Sequence, residues 1–196
     1  TDAQKVRRIG GYATISVIGS GPAAFLSSIL ATGNASMGIS SACCTGSDAI
    51  IESYHRIKNG RAKRMLAGGA EGFSQYMWAT LDSLRVFNRY MNDRPAEASR
   101  PMSASAKGIV PSSAAGVLVL EDLETAQARG ATILAEVLSG VSNSGGQRNG
   151  GTITFPNREG ILRCTRDAIK EAGIDASEID LINGHLTATK ADAFEI

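Results

Sequence analysis

The residues of this chain best suited to chemistry are few and stand at junctions between elements. Cys43 follows a run of small and apolar residues (34–42, NASMGISSA) that suits a buried strand. It precedes Ala49, Ile50, Ser53, Tyr54 and Ile57, which recur at helical spacing until Asn59-Gly60 supplies a stop. A thiol placed where a strand gives way to a helix meets oriented N–H groups and the partial positive charge of the helix start, both of which favour the thiolate. A sharp turn there would also aim backbone N–H groups at a thioester oxygen. Free cysteine is equally a common packing residue, so position alone leaves both readings open. The second candidate is His185, which residues 178–183, read as a short strand, deliver behind Gly184. A histidine satisfied within the core is the alternative there.

The elements that must position these groups alternate. Residues 62–67 read as a strand entering Gly68-Gly69, a passage too tight for bulky side chains. Residues 76–87 read as a helix. Residues 88–114, rich in Asn, Arg, Pro, Ser and Ala, read as a long irregular excursion of the kind that frames a site. The apolar run 116–120 (GVLVL) suits a sheet covered on both faces, and a short helix over 123–129 follows. Residues 132–141 read as a strand, 142–151 as a flexible connection, and 159–172 as an amphipathic helix stopped by Gly173. This alternation predicts an α/β fold with sheets between helices.

Composition narrows the function. With 196 residues, 43% of them apolar, the chain can bury a core. Twenty basic and nineteen acidic residues give a net charge of +1, which offers no bulk attraction to nucleic acid or an anionic membrane. No apolar run approaches the length of about eighteen residues that spans a bilayer, and the N-terminus carries no secretory pattern, so a cytoplasmic protein is expected. Cys43, Cys44 and Cys164 lack metal-type spacing and predict free thiols, with no metal bound. His55 reads as a helical surface residue, Cys164 as packing, and Gly19-Ser20-Gly21-Pro22 as no phosphate loop, since it lacks the lysine and the strand-helix frame. A start at Thr1 and an end at Ile196 inside an apparent helix suggest a fragment.

Five segments carry a resemblance. Ser40-Ser41-Ala42-Cys43-Cys44-Thr45-Gly46 resembles the nucleophile elbow of β-ketoacyl-acyl-carrier-protein synthases, condensing enzymes of the thiolase superfamily. Leu66-Ala67-Gly68-Gly69-Ala70-Glu71 and Ala98-Ser99-Arg100-Pro101 are similar to the strand end and turn that follow in that family. Gly116-Val117-Leu118-Val119-Leu120-Glu121, with AQARGA at 126–131 and Ala135-Glu136-Val137, is similar to the next succession, and Asn183-Gly184-His185-Leu186-Thr187-Ala188-Thr189 resembles the family's histidine motif.

The resemblance implies a thiolase-like five-layered αβαβα fold, here partial. Residues 1–129 would be the later part of the N-terminal half and 130–196 the start of the C-terminal half. It implies Cys43 as acyl acceptor, His185 as a donor to the malonyl thioester oxygen during decarboxylative condensation, Thr187 and Thr189 as partners of the phosphopantetheine arm, and Glu195 as a supporting acid beside Asp192. No cofactor would be bound by the chain itself, because the substrates ride on the phosphopantetheine of acyl carrier protein. A homodimer paired through strand 34–42 is implied as well.

Two departures stand out. Lys107-Gly108-Ile109-Val110-Pro111-Ser112 replaces the usual Asp-Gly-Phe-Val-x-Gly, and Leu186 replaces the glycine after the histidine, which would crowd the pantetheine path or shift the backbone. Another thiolase-superfamily acyltransferase and a non-catalytic subunit resembling chain-length factors are the alternative readings. Thr187 and Thr189 count against the first, and Cys43 against the second.

Overall fold

The computed structural model describes residues 8–145 and 155–194. Two compact units divide the chain, Thr1–Ala70 with Gly116–Ile133 and Glu71–Ala115 with Leu134–Ile196.

The first unit carries α1 (Ala13–Val17), α2 (Gly21–Ile29), α3 (Thr45–Lys58), β1 (Arg64–Glu71), β2 (Ala114–Glu121) and α5 (Leu123–Ala128). Gly21 lies against α1: a Cβ there would sit 2.5 Å from the Ile15 carbonyl oxygen. The Gly19-to-Pro22 stretch is therefore a corner between two helices, with Pro22 in the first turn of α2. Helix α3 ends where Asn59-Gly60 predicted. Gly60 takes φ 68, its N–H donates to the Ile57 carbonyl, and the Arg61 N–H donates to that of Arg56. That is a Schellman closure, which satisfies carbonyls the helix leaves open. Helix α5 closes the same way through Gly130, with the Ala131 N–H on the Ala126 carbonyl.

β1 and β2 pair antiparallel. The Asp122 N–H donates to the Lys63 carbonyl, Arg64 ion-pairs with Glu121, and Gly68 lies against Gly116 and Val117. Glu121 also receives Arg129 Nη2 at 2.7 Å, and its side chain is only 6% exposed. Hydrogen bonds from Arg129 and then Arg64 hold this carboxyl down at about 2, below the ordinary 4.5. Between those values the unfolded chain binds a proton that the folded chain refuses. Stability is therefore expected to hold down to about pH 4.5 and to decline as the pH falls from there towards 2. Urea titrations across that window should show a flatter slope for E121Q.

The apolar run in β2 is not covered as its sequence predicted: Val117, Leu118 and Val119 are 51%, 50% and 58% exposed. An apolar strand states that it needs cover on both faces, but the cover must come from elsewhere, and among the described residues no element supplies it. The same reason applies to 34–42, 132–141 and 178–183, which belong to no sheet ladder among the described residues. A ladder needs a neighbour at 4.7–4.9 Å, whatever the strand's own propensity. Ala176–Glu178 is instead a short 3-10 turn closed by a capping box on Asp175.

The second unit carries α4 (Gln75–Ser83) and α6 (Arg158–Ala172). Helix α4 starts at the Ser74 cap and stops four residues before the expected Phe87, because Arg85 takes φ 57 and Phe87 instead bridges to Ile109. Phe73 meets Trp78 edge-to-face with centroids 4.8 Å apart. Helix α6 is capped by Asn157 and ends at Gly173 in the left-handed conformation, as its sequence predicted. Residues 142–145 are tied to it: Asn143 Nδ2 donates to the Gly160 carbonyl, and Asn157 Nδ2 to that of Gly145. The expected looseness therefore does not extend to these four; residues 146–151 lie outside the described residues. Cys164 packs with its Sγ 3.3 Å from the Val141 carbonyl.

Candidate active site

The elbow is built around one strained residue. Ala42 takes φ 53, a left-handed conformation that costs a non-glycine residue about 1–3 kcal/mol and persists only when its surroundings enforce it. Ala42–Cys44 then form a 3-10 turn that runs straight into α3, with the Cys44 N–H on the Ser41 carbonyl. Cys43 is the middle residue of that turn and is exposed. The sulfur is thus carried just ahead of the first α-helical turn. Asp48 in the first turn, and His55, Arg56 and Lys58 in the last, complement the helix dipole.

Side chains lock this turn from both sides. The Ser41 N–H donates to Thr45 Oγ1 at 3.0 Å, and the Thr45 hydroxyl donates to the Ala42 carbonyl at 2.8 Å. The Ser41 hydroxyl donates to Asp48 Oδ2 at 2.5 Å. Sequence reasoning passed over all three. The available signal was hydroxyls flanking the cysteine with a carboxylate one helical turn further on.

Behind the elbow, two backbones approach each other at a pair of glycines. A Cβ on Gly69 would lie 3.4 Å from the Gly46 Cα, so the start of α3 rests on β1 with no side chain between them. A cleft of about 280 Å³ opens among α2, α3 and β1, lined in part by Met37, Ile39, Thr45, Ala49 and Leu66. Cys43 does not line it.

In the second unit, His185 is exposed and occupies the tip of a γ-turn in which the Leu186 N–H donates to the Gly184 carbonyl at 3.0 Å. Leu186 is half-buried, and its amide closes this turn. Thr187 and Thr189, expected on one side of an extended segment, meet instead across a turn in which Ala188 takes φ 59, with their hydroxyl oxygens 2.9 Å apart. What holds them is Asp192, a buried carboxylate at 7% exposure. It accepts the Thr187 N–H at 2.8 Å and the Ala188 N–H at 3.0 Å, and the backbone of Met102 lies near enough to help hold its charge.

Burial alone would push the Asp192 carboxyl up, but the backbone donors together hold it below its usual range. The acid of this loop is therefore a clamp on the threonine segment. Replacing Asp192 with alanine strands the buried Ala188 N–H and the part-buried Thr187 N–H and is expected to lower stability by about 2 kcal/mol. Denaturant unfolding would measure the loss, and D192N should retain part of it. Glu195 lies outside the described residues.

The departing segment at 107–112 keeps its local architecture. Gly108 sits at φ 115, where a Cβ would come within 2.2 Å of the Val86 carbonyl oxygen. Ile109 pairs with the neighbouring backbone, its N–H on the Val86 carbonyl and its carbonyl receiving the Asn88 N–H. Arg100 braces the preceding turn through the Glu97 carbonyl at 2.8 Å and Ser105 Oγ at 2.9 Å. Among the described residues, no three His, Cys, Asp or Glu side chains cluster closely enough to hold a metal ion, and no helix is long and apolar enough to cross a membrane.

Residues 1–126 match the family model described as Beta-ketoacyl synthase, N-terminal domain, and residues 134–196 that of Beta-ketoacyl synthase, C-terminal domain. The chain belongs to the β-ketoacyl synthase family. Among curated members, it is 42% identical over 158 residues to the 3-oxoacyl-acyl-carrier-protein synthase 2 of Rhizobium meliloti (strain 1021), covering 79% of this chain and 37% of that protein. It is 32% identical over 184 residues to the 3-oxoacyl-acyl-carrier-protein synthase 1 of Escherichia coli (strain K12), covering 94% and 44%.

A crystal structure of a β-ketoacyl synthase from Burkholderia phymatum STM815 superposes with TM-score 0.90 at 33% identity, over 99% of this chain and 47% of that one. A ketosynthase solved with its type II PKS acyl-carrier protein and bound to the hexaketide superposes with TM-score 0.85 at 27% identity, over 95% and 46%. The fold is the thiolase-like α/β fold of these ketosynthases, present in part, since the chain spans less than half the length of these relatives. In this β-ketoacyl synthase chain, Cys43 belongs to the first unit, and His185, Thr187 and Thr189 to the second.

Proposed function

We propose that this chain serves the β-ketoacyl-acyl-carrier-protein synthase reaction, with Cys43 as its nucleophile. The observation that carries the reading is the exposed sulfur of Cys43 on a strained turn at the start of α3, in a chain of this family. The Cys43 thiolate attacks the thioester carbonyl of acyl-acyl-carrier protein; a new S–C bond forms, and the phosphopantetheine thiolate leaves and takes a proton. Malonyl-acyl-carrier protein then loses carbon dioxide. The electron pair of the broken C–C bond passes through an enolate to attack the acyl group on Cys43, and the thiolate is released. His185 supplies an N–H to the enolate oxygen, where charge develops, and Thr187 and Thr189 bind the phosphopantetheine arm.

On this reading the partner is acyl carrier protein, and the setting is the cytoplasm. Residues 1–129 and 130–196 are parts of the two halves of the fold, a division supported by family models that end at 126 and begin at 134. The mostly exposed residues 34–42 are the segment assigned to pairing with a second copy. Intact-mass analysis of the protein incubated with acyl-acyl-carrier protein tests the nucleophile directly, and one acyl group on the Cys43 peptide is expected. An unmodified protein would favour the reading as a non-catalytic subunit, which a TM-score of 0.81 to the ishigamide ketosynthase/chain length factor keeps in view.

A further inference from the structure

We propose that Asp48 is a positioning residue for Cys43, acting through Ser41: its carboxylate holds the hydroxyl of the residue before the turn and so fixes the direction in which the sulfur is presented. The inference rests on the reading of Cys43 as nucleophile and adds the group that aims it. Three hydrogen bonds cross the turn, and each has one end on Ser41 or Ala42 and the other on the first turn of α3. Two of them pass through Thr45, which only bridges neighbouring backbone. The third, from the Ser41 hydroxyl to Asp48 Oδ2 at 2.5 Å, is the one that fastens the turn three residues deeper into α3.

That anchor matters because Ala42 at φ 53 is strained and would relax to an ordinary conformation if its flanks were free. Relaxation would swing Cys43 away from the helix start. Asp48 acts here as a hydrogen-bond acceptor rather than as a charge. Its usefulness to the sulfur lies in the bond it accepts. An amide accepts the same bond without the charge.

The contrast between D48N and D48A therefore isolates the bond. Alkylation by iodoacetamide is followed at pH 7 with fragment mass spectrometry that separates Cys43 from Cys44, and Cys164 serves as the internal reference. D48N is expected to alkylate at Cys43 at least as fast as the parent, and D48A about threefold more slowly than D48N, the size of effect a helix start exerts on a group held against it. S41A, which breaks the bond from its other end and keeps the carboxylate, should be about threefold slower than the parent. S41A/D48A should be no slower than D48A, because both changes remove one bond.

Equal Cys43 rates in D48A and D48N would overturn the proposal. So would a parallel change at Cys164, which marks general loosening of the fold. If D48A does not fold, S41A alone decides: an unchanged Cys43 rate refutes the clamp. A protein that follows this alkylation pattern yet takes no acyl group from acyl-acyl-carrier protein would refute the proposed reaction and leave the clamp standing.

Discussion

Cys43→Ala is expected to remove acyl labelling altogether, while Cys44→Ala leaves it within about threefold and changes stability by no more than about 0.5 kcal/mol. The two thiols are adjacent and both are exposed, so accessibility does not separate them. Position does. Cys43 is the middle residue of the 3-10 turn, directly after the strained Ala42, whereas Cys44 is the residue from which α3 begins. Without Cys43 no sulfur remains to form the acyl thioester, and the loss should be complete rather than graded. Without Cys44 little packing is lost, because an exposed side chain has little to forfeit. Intact-mass spectra of the two variants with acyl-acyl-carrier protein read both outcomes together. Labelling lost in the Cys44 variant and kept in the Cys43 variant would show that the nucleophile is the second cysteine.

Gly68→Ala is expected to destabilise the protein by about 3 kcal/mol or more, read as a lower urea midpoint. The added Cβ would fall 2.0 Å from the Gly116 carbonyl oxygen and 2.8 Å from the Val117 Cα. Both atoms are backbone of the paired strand, so no side chain can rotate aside and the ladder itself must open. Gly69 gives the control. Its Cβ would meet the Gly46 Cα at 3.4 Å, ordinary contact, so Gly69→Ala should cost much less. Because β1 supports the start of α3, G68A should also impair Cys43, and G69A should leave its labelling nearly intact.

Several features of this molecule are written within a few neighbouring residues, and these were legible from the chain alone. Asn59-Gly60 and Gly173 end helices where they stand, because a left-handed residue is needed there and glycine adopts that conformation without strain. The tight passage at Gly68-Gly69 and the cysteine at the start of a helix were legible for the same reason, each depending on local backbone chemistry, although β1 runs on through that passage to Glu71 instead of ending at it.

What only the tertiary structure decided depends on partners far along the chain. Residues 116–120 announce a strand in need of cover, yet nothing in their order says what lies over them, and their side chains are open here. Asp192 reads as one acid among nineteen until folding buries it and brings the backbone of Met102, ninety residues earlier in the chain, near it. The bond from Ser41 to Asp48 likewise depends on the phase of α3 against a strained turn, a relation in space that spacing alone does not fix. Sequence sets the chemistry each residue can perform. Contacts between distant segments determine which of those capacities are used.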